Sequence, residues 1–326
     1  MATPTVSVII PAYNGQRWLP EAAQSVLSQT YPDLELIIVD DGSTDGTRKV
    51  IEAFLRNDPR VRAIYKTVNG DGASARNAGI AAARGKYVSL LDQDDLMEPT
   101  KLERQVAFLE QHPEATLVYG HYLVMDNDGR TLDKQPVQPH TAFQDLWESC
   151  RCLHLGAALI RKRVLDAVGP FNEKVGWATD FELVLKIARR GGIAFQDGVA
   201  LSYRWHGENT CAKDDREFYR YTLEAIQSIG PVPEEGVTVL ELRRRTARLH
   251  YCLARLEREQ GAFADATRHF WKAVVSCPSV GMLFQEHLHT ASQSALQIIK
   301  PYGALLQSAV LATLHRGPRR HDAHRN

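Results

Sequence analysis

Apolar and polar positions along the chain follow two regimes. Over residues 6–91, short runs of apolar and β-branched residues alternate with stretches in which apolar residues recur every three or four positions. The run Val6-Ser7-Val8-Ile9-Ile10-Pro11 predicts a buried parallel strand halted by its proline, and residues 34–39, 61–65 and 87–91 predict three more. Trp18, Leu19, Ala22, Ala23, Val26 and Leu27 recur as a first helix, and Val50, Ile51, Phe54 and Leu55 as a second. The segment 72–79 opens a third. Four strand–helix alternations predict an α/β unit whose central sheet is mostly parallel.

The middle of the chain is more varied. Leu102, Val106 and Leu109 mark an amphipathic helix over 100–111, and residues 116–125 a strand region. Asp126-Asn127-Asp128-Gly129 is a hairpin-closing turn, and 136–141 reads as a loop. A strand over 156–160, a short helix at Val164 and Leu165, a helix from Trp177 to about Arg190 and a late strand over 199–205 ending in His206 follow. From about Phe218 the pattern is wholly helical. Leu253, Ala254, Gly261, Ala266, Phe270, Ala273 and Pro278 have the spacing of one tetratricopeptide-like hairpin, a spacing that any Ala-rich helix pair also produces. Leu305, Leu306, Val310, Leu311 and Leu314 form a further apolar stripe.

Composition adds limits. Lys and Arg number 39 against 39 Asp and Glu, so overall charge gives no reason to expect nucleic acid as a partner. The exception is the end of the chain, where Arg316, Arg319, Arg320 and Arg325 form a basic tail. It is expected to be solvated and disordered, with contact to anionic lipid as the alternative; the C-terminal helices are the expected place for any peripheral membrane or protein contact. Five cysteines, an odd number, fit a reducing compartment. Cys150, Cys152 and His154 have a metal-like spacing but supply too few ligands for a closed zinc site. With no export signal evident in 1–5 and no apolar run near the ~20 residues of a spanning helix, a cytoplasmic protein is expected, at most peripheral to the inner face of a membrane.

Chemistry concentrates at the ends of the strands. Asp92, Asp94 and Asp95 crowd the carboxyl end of the fourth strand, where like charges repel and something cationic is expected. Tyr13 and Asp41 end earlier strands, and Arg76 lies at a loop-to-helix corner between two of them. Ligands of open α/β sheets bind beyond these ends, so the residues can converge on one crevice.

Four segments, Val6 to Asn14, Val39 to Thr47, Ala73 to Gly79 and Leu90 to Asp95, together resemble the family 2 glycosyltransferases. The resemblance covers about residues 5–210. It implies inverting, metal-dependent enzymes of the GT-A fold that use nucleotide-diphosphate sugars. On that basis residues 1–215 are the GT-A domain (1–98 the nucleotide-binding half, 99–215 the acceptor-side half). An α-helical extension over 216–315 and the tail 316–326 follow. The resemblance implies Mn²⁺ or Mg²⁺ held by Asp94, with Asp92 on the ribose or reaching the metal through water, and His206 on the metal or diphosphate. It further implies Asp41 on the base edge, with Asp40 as the alternative, Pro11 and Tyr13 bordering the nucleotide, and Arg76 meeting it as a cation. Asp180 is the expected general base that deprotonates a hydroxyl of a glycan or lipid-linked acceptor. The family commonly shows Glu-Asp here, whereas this chain has Thr179-Asp180.

Plainer readings stand beside these. Asp40, Asp45, Asp95 and Asp180 also suit turn or helix-cap roles. The Gln-x-x-Arg-Trp signature of processive synthases is absent, because Leu201 stands three residues before Arg204. A dinucleotide-dependent oxidoreductase is disfavoured because no Gly-x-Gly-x-x-Gly follows the first strand. A nucleotidyltransferase or a catalytically silent sugar-nucleotide-binding scaffold are the remaining alternatives.

Overall fold

The computed structural model describes residues 3–70, 72–135, 139–148, 153–206, 209 and 215–277. Helix and strand expectations beyond residue 277, the basic tail, and Cys150 and Cys152 lie outside these. The four expected strands are β1 (Val6–Ala12), β2 (Leu34–Asp40), β3 (Val61–Tyr65) and β4 (Tyr87–Leu90), paired in parallel in the order β3-β2-β1-β4. Every residue of β2 and β4 is buried, as expected for strands covered on both faces. Pro11 does not halt β1, which continues through Ala12 beside Val39 and Asp40 of β2. Pairing with β4 ends at Ile9, so the missing proline N–H faces no partner strand on that side.

Helices α1 (Leu19–Leu27), α2 (Thr47–Asn57) and α3 (Gly72–Ala82) make the crossovers. Gly79 lets α3 approach the sheet, since a Cβ there would come within 2.4 Å of Ile9. The short β5 (Leu96–Met97) and α4 (Lys101–Gln111) come next. Then β6 (Ala115–Met125) and β7 (Thr131–Gln135) form the expected hairpin. Asp126 closes its turn by accepting the N–H groups of Asp128 and Arg130.

After α5 (Phe143–Glu148), β8 (Ala158–Arg161) inserts antiparallel between β4 and β6. Helices α6 (Lys162–Val168) and α7 (Thr179–Ala188) lead to β9 (Gly192–Arg204), which is longer than the expected 199–205. The sheet order is β3-β2-β1-β4-β8-β6-β9-β5, with β7 on β6.

The first compact unit runs to Thr238 and the second begins at Val239, so the boundary lies beyond the expected 215/216. Helix α8 (Asp215–Ile229) accounts for the shift. It buries Leu223, Ala225 and Ile226, sets the Tyr221 ring against Gly176, and joins Ser228 to the buried Glu182 of α7. Helical periodicity alone does not reveal such docking. In the second unit, α9 (Val239–Glu259) and α10 (Phe263–Ser276) form a helical hairpin turning at Gly261 (φ 80°) and burying Leu253, Ala254, Ala266 and Ala273. Pro278 of the expected repeat spacing falls outside the described residues. No helix among the described residues is long and apolar enough to cross a membrane.

Glu35, 2% exposed, ties the amino ends of the strands together. It accepts from Ser7 Oγ at 2.6 Å, Arg62 Nη1 at 2.8 Å and the Arg84 guanidinium at 2.8 Å. Burial alone would raise its pKa, but these bonds outweigh it and lower the group to about 2. A folded-state value below the unfolded one stabilises the fold at neutral pH, and that contribution is lost as pH falls from 4.5 towards 2. Glu35→Gln is expected to lower unfolding free energy by ~2–4 kcal/mol at pH 7 in urea titrations. The gap to the parent should narrow with acidification below the unfolded pKa.

Candidate active site

The first two loops at the carboxyl edge are laced together. Asn14 adopts positive φ (49°), and its Oδ1 accepts the Thr44 N–H at 2.9 Å while its own N–H reaches Ser43 Oγ at 3.0 Å. Gln93 spans to the same loop, accepting from Tyr13 N and donating to Tyr13 O, both at 3.0 Å. The middle residue of Asp92-Gln93-Asp94 therefore fixes the acidic loop against Tyr13, whose side chain stays 44% exposed at the mouth. Pro11 stands one residue from the end of β1.

The aspartates at β2 divide their work. Asp40 caps its own turn by accepting from Ser43 N at 3.0 Å, and Asp45 accepts the Thr47 N–H at 2.9 Å. Asp41 is buried, paired with Lys66 and bonded by Gly70 N at 3.2 Å, which holds the segment before α3 against β2.

Arg76, in the second turn of α3, joins two walls of the crevice. Its Nη2 lies 2.6 Å from Asp92 Oδ1, and its Nη1 lies 3.8 Å from Asp180 Oδ1 on α7. Asp180 Oδ1 is buried with no hydrogen-bond partner, although 40% of the side chain is exposed. Burial raises the Asp180 pKa and Asp92 adds to this, against the opposing pull of Arg76. For Asp92 the balance falls the other way: burial would raise its pKa, but Arg76 and His154 lower it.

Asp94 Oδ2 meets His206 Nε2 at 2.8 Å, and His206 stacks on Trp18 at 4.4 Å between ring centroids. Burial and then the Asp92 charge raise the Asp94 pKa, the direction expected of a carboxylate short of positive charge. Among the described residues no three His, Cys, Asp or Glu side chains gather as a metal cage. One carboxylate and one imidazole nonetheless fit Mn²⁺ or Mg²⁺, ions that commonly take one or two protein ligands and complete their shell with phosphate oxygens and water.

Four residues of this site escaped sequence reasoning. Arg204, 1% exposed, donates Nε to Asp94 O at 2.9 Å, Nη1 to Asn127 O at 2.8 Å and Nη2 to Glu21 Oε2 at 2.7 Å. Its N–H reaches Asp95 Oδ1 at 2.9 Å, so one buried guanidinium fixes the acidic loop, the β6–β7 turn and α1 together. Asp95 is thus held in the interior and is not a helix cap; burial, then Asp94 and Asp92, push its pKa well up. Glu182 binds Asn172 Nδ2 and Lys186 Nζ, both at 3.0 Å, and steadies α7 behind Asp180. Gln93 and His154 complete the set. Arg204 was noticed only beside the absent processive-synthase signature, and His154 only through its cysteine neighbours, a spacing too poor in ligands for zinc. In the fold its ring lies beside Tyr203 and Tyr122, and Asp92, Asp180 and Asp94 all act on it.

Residues 7–169 match the family model described as glycosyl transferase family 2. This span includes Asp41, Arg76, Asp92, Asp94 and His154, while Asp180 and His206 lie beyond it. Chondroitin synthase of Escherichia coli is 32% identical over 70% of this chain and 33% of its own length. The putative teichuronic acid biosynthesis glycosyltransferase TuaG of Bacillus subtilis is 42% identical over 44% of the chain and 56% of its own length. The chain spans about a third of the first curated relatives it matches, 33–36% of their lengths. Among solved structures, S. aureus TarS 1–349 in complex with UDP-GlcNAc superposes with a TM-score of 0.63 at 20% identity, covering 83% of this chain and 81% of that one. Mannosyltransferase PcManGT from Pyrobaculum calidifontis, in complex with GDP-Man and Mn²⁺, gives 0.58 at 20% identity over 97% and 89%. At these identities the likeness establishes the fold, the GT-A α/β architecture. The family match over half the sequence establishes more: this chain belongs to glycosyl transferase family 2.

Proposed function

We propose that the protein transfers a sugar from a nucleoside-diphosphate donor, a UDP-sugar, to a hydroxyl of a glycan or lipid-linked acceptor with inversion at the anomeric carbon. The observation that carries this reading is the bridge from Asp92 through Arg76 to Asp180. Asp180 keeps an oxygen without a hydrogen bond, and the loop that carries Asp92 also carries the Asp94–His206 pair; both support this reading. The solved relatives bound to UDP-GlcNAc, and to GDP-Man with Mn²⁺, support the donor class and the ion.

In this mechanism Asp41 and Tyr13 border the base, and Arg76 keeps Asp92 ionised on the donor side. Asp94 and His206 would hold a divalent cation, which when bound would supply Lewis-acid stabilisation of the diphosphate. Asp180 accepts the acceptor hydroxyl proton as that oxygen bonds to the anomeric carbon. The carbon–phosphate oxygen bond breaks and the nucleoside diphosphate leaves with the electron pair. Partial burial suits Asp180 to this work, because a base whose pKa is raised towards the working pH takes a proton more readily.

Release of nucleoside diphosphate, followed over a donor panel with Mn²⁺, Mg²⁺ or EDTA, tests the class and the ion. Asp94→Ala is expected to lower turnover by ~10²–10³-fold, and turnover indifferent to both EDTA and this substitution contradicts the metal role. Pyrophosphate production from a sugar phosphate and a nucleoside triphosphate would instead mark a nucleotidyltransferase. Donor binding without transfer to any acceptor would mark a silent scaffold.

Asp180→Asn is expected to bind donor normally and to lose transfer by ~10²–10⁴-fold. Protonation silences a base, so transfer by the parent should fall as pH drops through the raised Asp180 pKa, above the ordinary value of 3.8. An unimpaired Asp180→Asn rate removes this residue as the base.

A further inference from the structure

The turn that presents His154 has no role in the mechanism above, yet it is built on buried side chains. Its three successive carbonyls are held from beneath by buried side chains of α4. Lys101 Nζ donates to Gly156 O at 2.8 Å and Ala158 O at 3.1 Å, and Gln105 Nε2 donates to Ala157 O at 2.9 Å. Lys101 is 0% and Gln105 1% exposed. Gly156 leaves room for the ring, since a Cβ there would lie 3.0 Å from both His154 Nδ1 and Leu201. The Gly156 N–H is directed at His154 Nδ1, 3.2 Å away. That bond commits Nδ1 as an acceptor and leaves the proton of the neutral ring on Nε2. Burial favours the neutral form.

One oxygen without a hydrogen bond lies near Nε2. Asp95 Oδ2 is 4.0 Å away, beyond hydrogen-bond length, on a side chain with no exposure, and it has no partner. Asp180 Oδ1 is likewise buried without a hydrogen bond. Buried polar atoms left unbonded cost ~1–3 kcal/mol each, so their presence in one crevice points to a ligand that satisfies them. A hydroxyl suits the pair because it accepts from Nε2–H and donates to a carboxylate. An oxygen about 2.8–3.0 Å from each atom closes a triangle on the 4.0 Å base. Asp92, Asp180 and Asp94 act electrostatically on the ring, opposed by Arg76.

We propose that His154, with Asp95 behind it, binds a hydroxyl of the sugar being transferred. This rests on the donor reading given above and adds a residue that discriminates among sugars at that site. Titration calorimetry with Mn²⁺ present distinguishes the two. UDP alone is compared with UDP-glucose, UDP-galactose, UDP-GlcNAc and UDP-GalNAc, for the parent, His154→Ala and His154→Gln. UDP affinity should stay within about twofold throughout, because UDP lacks the sugar. The best UDP-sugar should bind about tenfold more weakly to His154→Ala, the equivalent of one hydrogen bond. His154→Gln, which restores an N–H near the position of Nε2, should recover most of that loss. A monodeoxy donor lacking the partner hydroxyl should bind the parent and His154→Ala equally. Equal weakening of UDP and UDP-sugar would reduce His154 to a structural role. Unchanged UDP-sugar binding in His154→Ala would overturn the sugar contact while leaving the donor reading intact. A parent chain that binds none of these nucleotides overturns both.

Discussion

The crevice depends on one guanidinium serving two carboxylates. Asp92 and Asp180 arrive from different parts of the chain, one after β4 and the other at the start of α7, and Arg76 stands between them. Without it, the two carboxylates would lose their shared cation and repel one another. Arg76 brings one positive charge to a region that holds four aspartates. Asp94 and Asp95 both have pKa values pushed upward by burial and by their acidic neighbours, while Asp92 is held down by Arg76. Under the proposed reading, a divalent cation held at Asp94 would relieve that crowding of carboxylates.

The walls are kept in place from outside the crevice. Arg204 reaches the acidic loop, the hairpin turn and α1 from the end of β9, and Glu182 anchors α7 to the Asn172 loop and to α8. Removing either partner of such buried pairs strands a charge, so these residues matter to the geometry without touching the reacting atoms. The two proposed site residues beyond the family-matched span, Asp180 and His206, belong to these outer elements. The proposed site is therefore completed late in the chain, by Asp180 on α7 and by His206 just after β9.

The legible parts of the sequence were those governed by local pattern. Buried β-branched runs announced β1 to β4, and Asp126 to Gly129 announced the hairpin. Pro11 misled because a proline's missing N–H matters only where a neighbouring strand needs it, and β4 pairing has ended by Ile9. The early part of β9 was obscured by Gln196, Asp197 and Gly198, which break strand alternation yet sit in a strand paired with β6. Residues that act through distant contacts left no local signal. Arg204 reads as one more charged residue until its partners more than 70 positions away are known, and α8 reads as part of a separate helical region until Ser228 meets Glu182. His154 was seen through its cysteine neighbours, when its relevant neighbours are carboxylates brought in by the fold.

The central claim is a single displacement, with one carboxylate opposite the leaving diphosphate and no covalent glycosyl-enzyme. The anomeric configuration of the product tests it most directly. A UDP-sugar linked through its α-anomeric position, turned over by the full chain with Mn²⁺, should yield a β-linked product in the anomeric proton couplings seen by NMR. An α-linked product would contradict the account, because retention requires a mechanism that this placement of Asp180 does not provide.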